Sequence, residues 1–357
     1  MRTIGIMSWK GGCGKTSTTI NLAVALAEHL GKVVLVVDLD HTRATSLILL
    51  GGEREFKQTV GMALLGLAPI TSLVCRTGFP NVDVVPAHPD LAVFDTKIRL
   101  ATPARVKLKE ESRTEETEIG TDGTSQKVVV KVLTRSLIDT ALRQELALLP
   151  QGKYDYVLLD TPGGAQVGTR QAIVAADDVI VPFRGDAKLD TDQAEETIRD
   201  VVRASTRIGG HPRVLGIVPI AVKHQGVPPR ILGQLDASLA RYGYSLFTEI
   251  PDTSWLKSIS GLPELRHRSV VTFRPRSGAA LKFKMVAEEL EYGVAAARAR
   301  RAQAAIEDQE ASEPVPADSS GHDVDAAGDG ALAGGVGEDQ TMPVGVSVAV
   351  GQGGEQP

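Results

Sequence analysis

The sequence predicts an α/β protein whose core is a doubly wound, mainly parallel sheet flanked by helices. Three observations predict it. Several runs are apolar almost throughout rather than alternating, notably Lys32–Asp38 (K-V-V-L-V-V-D) and Tyr154–Asp160 (Y-D-Y-V-L-L-D), as strands covered on both faces are. Helical patterns separate them, the first with Ile20, Ala23, Ala27 and Leu30 on one stripe and Gly31 closing it. A glycine-rich turn, Gly11-Gly12-Cys13-Gly14, joins the first strand to that first helix.

The turn is the most informative stretch. A short apolar run, Thr3–Met7, leads into Trp9-Lys10-Gly11-Gly12-Cys13-Gly14-Lys15-Thr16-Ser17. Between a strand and a helix such a loop aims successive backbone N–H groups and the positive helix end at one point, where phosphate is the natural occupant. Lys15 would reach the β- and γ-phosphates, and the Thr16 hydroxyl would ligate Mg²⁺. The general phosphate-loop pattern asks for glycine where this chain has Trp9. What it offers instead is a second lysine, Lys10, directly before the paired glycines.

The second strand, Lys32–Asp38, ends in Asp38-Leu39-Asp40. Side chains two apart on an extended segment point the same way, so both carboxylates can face the crevice at the strands' carboxyl ends. Asn81–Ala87 reads as a further strand stopped by Pro86. From about 105 to 132 the pattern breaks: Glu110–Gln126 is polar, between Val106–Lys109 and Val128–Val132. The flanks can pair as a hairpin or the piece can be a mobile insertion; we favour the insertion. A helix over Leu133–Leu149 then delivers the chain to Tyr154–Asp160, followed by Thr161-Pro162-Gly163-Gly164. Further strands are expected at Val179–Phe183, Val214–Ile220, Leu246–Ile250 and Val270–Phe273, and a last helix at about Gly278–Gln303.

Composition bounds the answer. The chain has 357 residues, enough for one large domain over 1–304. Two cysteines, Cys13 and Cys75, provide neither a disulfide framework nor a metal-ligand spacing. Cys13, at a helix N-terminus, can be redox-sensitive, although a small residue there serves loop closure equally well. No apolar run reaches the ~18 residues of a membrane span, and the first residues are already strand and loop rather than a signal peptide. The expectation is a cytoplasmic protein without a membrane partner. Eleven of the 44 acidic residues follow Arg301 and no Lys or Arg does. That leaves 33 acidic against all 39 basic residues in 1–301, a net of +6. A mildly positive body can gather polyanions. Residues 305–357 hold no aromatic residue and are rich in Gly, Ala, Asp and Glu, the composition of a disordered acidic tail.

With Lys10 in place, the K-G-G-x-G-K-S/T loop resembles the deviant phosphate loop of the ParA/MinD family of ATPases. V-V-D-L-D, N-V-D-V-V-P-A, Y-D-Y-V-L-L-D-T-P, A-A-D-D-V-I-V-P-F and E-I-P-D-T-S-W-L-K follow in the family's order, so that the resemblance covers roughly 1–295. It is nearest to the ParA/Soj-type partition proteins. The resemblance implies a P-loop NTPase fold and an ATPase with ATP and Mg²⁺ as cofactors. Gly11, Gly12, Cys13, Gly14, Lys15, Thr16 and Ser17 would hold the phosphates, and Lys10 would reach the partner's ATP in an ATP-dependent homodimer, a lysine supplied in trans. Asp40 would orient the attacking water, Asp38 and Asp160 would stand at the magnesium shell with Thr16, and Pro251 and Asp252 would lie in the adenine-contacting loop.

Beyond the site, the resemblance implies slow hydrolysis stimulated by a centromere-binding ParB-type protein. It also implies non-specific binding of double-stranded DNA, hence a nucleoid-associated protein. Lys223, Arg230, Lys257, Arg266, Arg268, Arg274 and Arg276 are the candidate DNA contacts. The alternative keeps the ATPase switch but replaces DNA with a protein cargo; a ligase or synthase on this fold would need a substrate pocket that no motif indicates. The chain departs from the family where Asp40 is followed by His41-Thr42-Arg43 instead of Pro-Gln-Gly, and Thr161 by Pro162-Gly163-Gly164 instead of Pro-Pro-Ser. Relatives with iron–sulfur clusters are excluded by the two cysteines, MinD-like membrane helices by the acidic C-terminus, and tyrosine kinases of this fold by a tail without tyrosine.

Overall fold

The structure, a computed structural model, describes residues 1–52, 56, 58–89, 91–92, 113–119, 125–131, 135–164, 166–184, 191–222, 229–253 and 268–312. The elements in chain order are β1 (Arg2–Ile6), α1 (Lys15–Leu30), β2 (Val34–Asp38), α2 (Ala44–Leu50), α3 (Val60–Leu64), β3 (Cys75–Arg76) and β4 (Val82–Val85). Next come β5 (Arg113–Ile119), β6 (Ser125–Lys131), α4 (Arg135–Leu146), β7 (Tyr156–Asp160), α5 (Val167–Ala175), β8 (Asp178–Arg184) and α6 (Thr191–Ile208). The chain continues through β9 (Arg213–Val222), α7 (Pro229–Arg241), β10 (Ser245–Leu246), β11 (Ile250–Pro251), α8 (Val270–Phe273), α9 (Gly278–Tyr292) and α10 (Val294–Ser312).

The main sheet runs β10-β9-β8-β1-β7-β2-β4-β3, with β11 also on β9. All its pairs are parallel except β3 on β4. The continuous apolar runs explain the layering. Val34, Val36, Tyr156 and Leu158 pack into one core with α1, α2, α8 and α9. Leu35, Val37, Val157 and Leu159 pack into the other, with α3 to α7. Because both faces are covered, hydrophobic burial holds each central strand twice. The chain leaves β1 toward β2 on one side and returns on the other through β8, so the crevice beside β1 is the topological switch point.

Residues 1–307 form one compact unit and 308–357 a second. The expected acidic tail lies outside the described residues from 313 onward.

Three expectations are corrected, and a hairpin is found in the segment read as an insertion. Val270–Phe273 is a helix, not a strand: Ser269 caps it by accepting a hydrogen bond from the Val271 N–H at 3.1 Å, and a four-residue apolar run carries no period to tell the two apart. The strand expected over Leu246–Ile250 is two short ones, β10 and β11, because Thr248 turns away from β9 toward Glu289. The last helix breaks at Gly293, with φ of 86°, into α9 and α10. In the segment read as an insertion, β5 and β6 pair antiparallel in register Arg113↔Lys131 to Ile119↔Ser125. The described part of β5 lies inside the polar stretch, where R-T-E-E-T-E-I carries no apolar period to mark a strand, and β6 overlaps the Val128–Val132 flank; Val106–Lys109 lies outside the described residues.

One glycine fixes how closely the layers approach the crevice. A Cβ on Gly168, in the first turn of α5, would lie 2.4 Å from the Leu39 carbonyl oxygen and 3.0 Å from Pro162 Cδ. Both neighbours are backbone or ring atoms that cannot swing aside. Gly168→Ala is therefore expected to cost about 2 kcal/mol by overpacking, read from the midpoint of urea unfolding. An unchanged midpoint would show that α5 can retreat from Leu39.

Candidate functional site

Strand register brings the site together. Ile6 pairs with Asp160, and Asp38 with Asp160, so β1, β7 and β2 end side by side. After β1 the chain turns into α1, whose N-cap is Gly14, in the left-handed region at φ 92° and with no side-chain cap. A Cβ there would meet Ile220 Cγ2 at 2.8 Å, so Gly14 is required by dihedral and by packing alike. At Gly11 and Gly12 a Cβ would meet nothing within 4 Å. The space above the loop is open, and the uncapped N–H groups and positive end of a 16-residue helix face it. A phosphate group fits that chemistry.

The two lysines of the loop have different settings. Lys15 is 8% exposed; its ammonium donates to the Lys10 carbonyl at 3.1 Å and lies 3.9 Å from Cys13 Sγ. It is curled within the loop. Lys10 is exposed, its Nζ 6.0 Å from the centroid of the Phe183 ring on β8. The Pro162-Gly163-Gly164 turn borders the same loop, the Cβ position of Gly163 falling 3.8 Å from the Trp9 carbonyl oxygen and 3.9 Å from Gly11 Cα.

Two fully buried carboxylates form the floor. Asp160 Oδ2 accepts from the hydroxyls of Thr16 (3.0 Å) and Thr45 (2.6 Å), and Oδ1 lies 3.1 Å from Thr19 Oγ1. Asp38 Oδ2 accepts from the backbone N–H (2.9 Å) and hydroxyl (2.6 Å) of Ser46, and Oδ1 from the N–H of Asp40 (3.0 Å). Ser46 Oγ in turn accepts from the Ala87 N–H at 2.9 Å, linking α2 to the segment after β4. Burial raises the pKa of both acids, and the charge of Asp160 raises Asp38 further.

The donor set here is all hard oxygen, two carboxylates and a threonine hydroxyl, and among the described residues no cluster of three or more His, Cys, Asp or Glu could cage a metal. Mg²⁺ suits such a set, since it takes one or two carboxylates and completes its octahedron with water and phosphate. Thr16, Asp38 and Asp160 are the residues that could hold it.

Asp40 borders this floor: its N–H donates to Asp38, and its charge raises the pKa of Asp160. Its side chain is 17% exposed, its Oδ1 accepts from the Thr42 N–H at 2.9 Å, and His41 Nδ1 lies 3.6 Å away. Pro251 and Asp252 reach the loop's other flank. Ile250 pairs with Ile220, the residue in contact with Gly14, and the Asp252 N–H donates to Val222 O at 2.6 Å.

Of the candidate basic residues, Lys223, Lys257 and Arg266 lie outside the described residues. Arg230 is exposed on α7. Arg268 and Arg274 both face the ring of Phe273, 38% exposed, at 4.3 and 5.7 Å from its centroid, and Arg276 is exposed nearby in sequence. This patch is tied to α1. Asn21 donates to the Ser17 carbonyl at 2.8 Å, while its Oδ1 accepts from the Ser269 hydroxyl and the Val270 N–H, both at 2.8 Å.

Sequence reasoning missed Thr45, Ser46, Thr19, Asn21 and Gly168. Thr45-Ser46 had a usable signal, two hydroxyl residues opening a helix shortly after an Asp-x-Asp strand end. Asn21 and Gly168 had none, because their partners are distant in sequence.

The fold and site define a phosphate-loop α/β protein with a second lysine before the loop's glycines. A family model described as an AAA domain matches residues 1–118. The chain is 30% identical over 296 residues to the chromosome-partitioning ATPase Soj of Thermus thermophilus, covering 81% of this chain and 95% of that one. It is 32% identical over 185 residues to the chromosome partitioning protein ParA of Caulobacter vibrioides, which is 52% of this chain and 56% of the relative. The chain thus spans little more than half the length of that relative. Among solved structures, the septum site-determining protein MinD of Pyrococcus horikoshii, complexed with Mg-ADP, superposes with a TM-score of 0.55 at 23% identity, over 82% of this chain and 96% of that one. The chain belongs to the ParA/Soj family.

Ser46 offers a test of the floor. Ser46→Ala removes a hydrogen bond to Asp38 and orphans the buried Ala87 N–H, an expected loss of about 2 kcal/mol. The Asp38 part is stronger to the charged carboxylate than to the neutral acid, so it is weaker where Asp38 is protonated and grows as pH rises. Denaturant titrations at acid and alkaline pH should show the larger deficit at the alkaline end. An equal deficit at both would mean that Asp38 does not change its protonation state across the range.

Proposed function

We propose that this chain is a Mg²⁺- and ATP-dependent dimerising ATPase that binds double-stranded DNA without sequence preference in its ATP state and drives plasmid or chromosome partition. The observation that carries the reading is the pair of lysines. Lys15 is curled into the loop, so it and the backbone serve the chain's own phosphates, whereas Lys10 is exposed and free to serve another subunit's.

In this reading the N–H groups of Gly11–Ser17 and Lys15 hold the triphosphate in line with α1. Thr16 and Asp160, with Asp38 beside them, hold Mg²⁺, which would offset the charge on the phosphate oxygens. Asp40, outside the buried floor, orients the attacking water, and Pro251-Asp252 borders the base. Lys10 of each protomer completes the other's site, so that closure and hydrolysis competence arise together. DNA is held by the basic patch of Arg268, Arg274 and Arg276, with Arg230, Lys223, Lys257 and Arg266 as further candidates. Asn21 supports a link between the two functions, since one side chain joins the phosphate-loop helix to the patch. A ParB-type centromere-binding protein would stimulate hydrolysis and so release DNA, placing the protein on the nucleoid in the cytoplasm. Among the described residues no helix is long and apolar enough to cross a membrane.

Single substitutions separate these roles. Lys15→Ala should weaken nucleotide binding itself, whereas Asp40→Ala should still bind ATP and dimerise but lose most hydrolysis, about 100-fold or more. An Asp40→Ala protein that turns over at the parent rate removes the water-orienting role.

Lys10→Ala should bind ATP yet stay monomeric by light scattering and release DNA; normal dimerisation would remove the role in trans. Arg274→Ala with Arg276→Ala should leave the dimer intact and flatten the salt dependence of DNA binding by up to about one phosphate contact per arginine. If the parent protein ignores random-sequence duplex in every nucleotide state, a protein cargo takes the place of DNA.

A further inference from the structure

The segment leading into Pro251-Asp252 is held from behind by the C-terminal helix. Thr248 turns away from β9 and directs both its N–H and its hydroxyl, each at 2.7 Å, onto the two carboxylate oxygens of Glu289. That carboxylate is wholly buried, on α9. Its charge is met from α10, where Arg301 Nη2 donates to Oε1 at 2.7 Å. One turn earlier, Arg298 Nη2 donates to the Leu246 carbonyl at 2.7 Å and Nη1 to Asp236 on α7 at 3.0 Å. Two guanidinium groups spaced i, i+3 on one helix therefore reach the ends of residues 246–248, Arg298 directly at Leu246 and Arg301 through Glu289 at Thr248. Gly293 lets α10 turn back to do so. The same stretch is anchored to the sheet by Phe247 N–H on Ile217 O at 2.9 Å and to α9 by Lys282–Glu249 at 3.2 Å. Two residues further on it becomes β11, beside Ile220 and the phosphate loop.

We propose that α10 is a brace for the base-side edge of the nucleotide site, with Arg298 and Arg301 as positioning residues that set how firmly the base is held without touching it. The proposal rests on reading Pro251-Asp252 as the base-bordering loop. Its physical basis is the buried Glu289: with Arg301 removed, the carboxylate is left without its cation and must take up a proton, rearrange or admit water, each of which loosens its hold on Thr248. The phosphate loop is held instead through Thr16 by Asp160 on β7, outside that network.

The test compares two probes on the full chain, Mg²⁺-ATP and Mg²⁺-tripolyphosphate, which lacks base and sugar, both by titration calorimetry. The parent protein should bind ATP more tightly. Arg298→Met with Arg301→Met, which keeps the aliphatic stems and removes the guanidinium groups, should lose about tenfold in ATP affinity and keep its tripolyphosphate affinity. Arg301→Lys, which retains the charge but not the fork, should fall between, and it covers the case in which the double variant fails to fold. Equal loss for both probes would mean that α10 only stabilises the domain, and unchanged ATP affinity would mean that the loop does not depend on it; either overturns the brace. A parent protein that binds the two probes equally would instead overturn the base-loop reading, and the brace with it.

Discussion

The site depends on one buried carboxylate. Asp160 ends the strand that lies between β1 and β2, and it draws the hydroxyls of Thr16 on α1 and Thr45 on α2 onto a single oxygen. A carboxylate removed from water is costly unless every lone pair is met. Asp160 therefore fixes where both helices begin, and with them the phosphate loop and the Asp38–Ser46 bridge. Its neighbour Asp38 adds like charge at the same depth. An arrangement of this kind is poorly placed for stability and well placed for a divalent cation, a common division between structural comfort and function.

Around that floor, mobility and rigidity are distributed by element. Lys15 is locked into its loop, while Lys10 rests near an aromatic ring at a distance where attraction is weak. The segment leading into Pro251-Asp252 is clamped between β9 and the α9–α10 pair. The Arg268–Phe273–Arg274 patch hangs from Asn21 on the phosphate-loop helix. One side chain, Asn21, thus joins the phosphate-loop helix to the segment that carries the patch.

Much of this was legible in the sequence, and for identifiable reasons. Lys32–Asp38 and Tyr154–Asp160 read as strands because burial on both faces leaves an unbroken apolar run. The loop glycines read as a phosphate site because the backbone conformation they permit is specific to it. Val270–Phe273 was misread because four apolar residues suit a strand or a helix, and the Ser269 cap decided. In the stretch read as an insertion, the first strand of the β5–β6 pair, R-T-E-E-T-E-I, is polar and offers no apolar period to read. Asn21, Glu289 and Arg301 were invisible in principle, since each acts through a partner that only the folded chain brings near.

The central claim, that the Asp160 floor and the phosphate loop together form a Mg²⁺-nucleotide site, is tested most directly by thermal unfolding with ATP in Mg²⁺ and in EDTA. The account predicts a clear rise in Tm with Mg²⁺-ATP and a much smaller one in EDTA, with the difference abolished in Asp160→Asn. Equal stabilisation with and without Mg²⁺, or a Mg²⁺-dependent rise that survives Asp160→Asn, would contradict it.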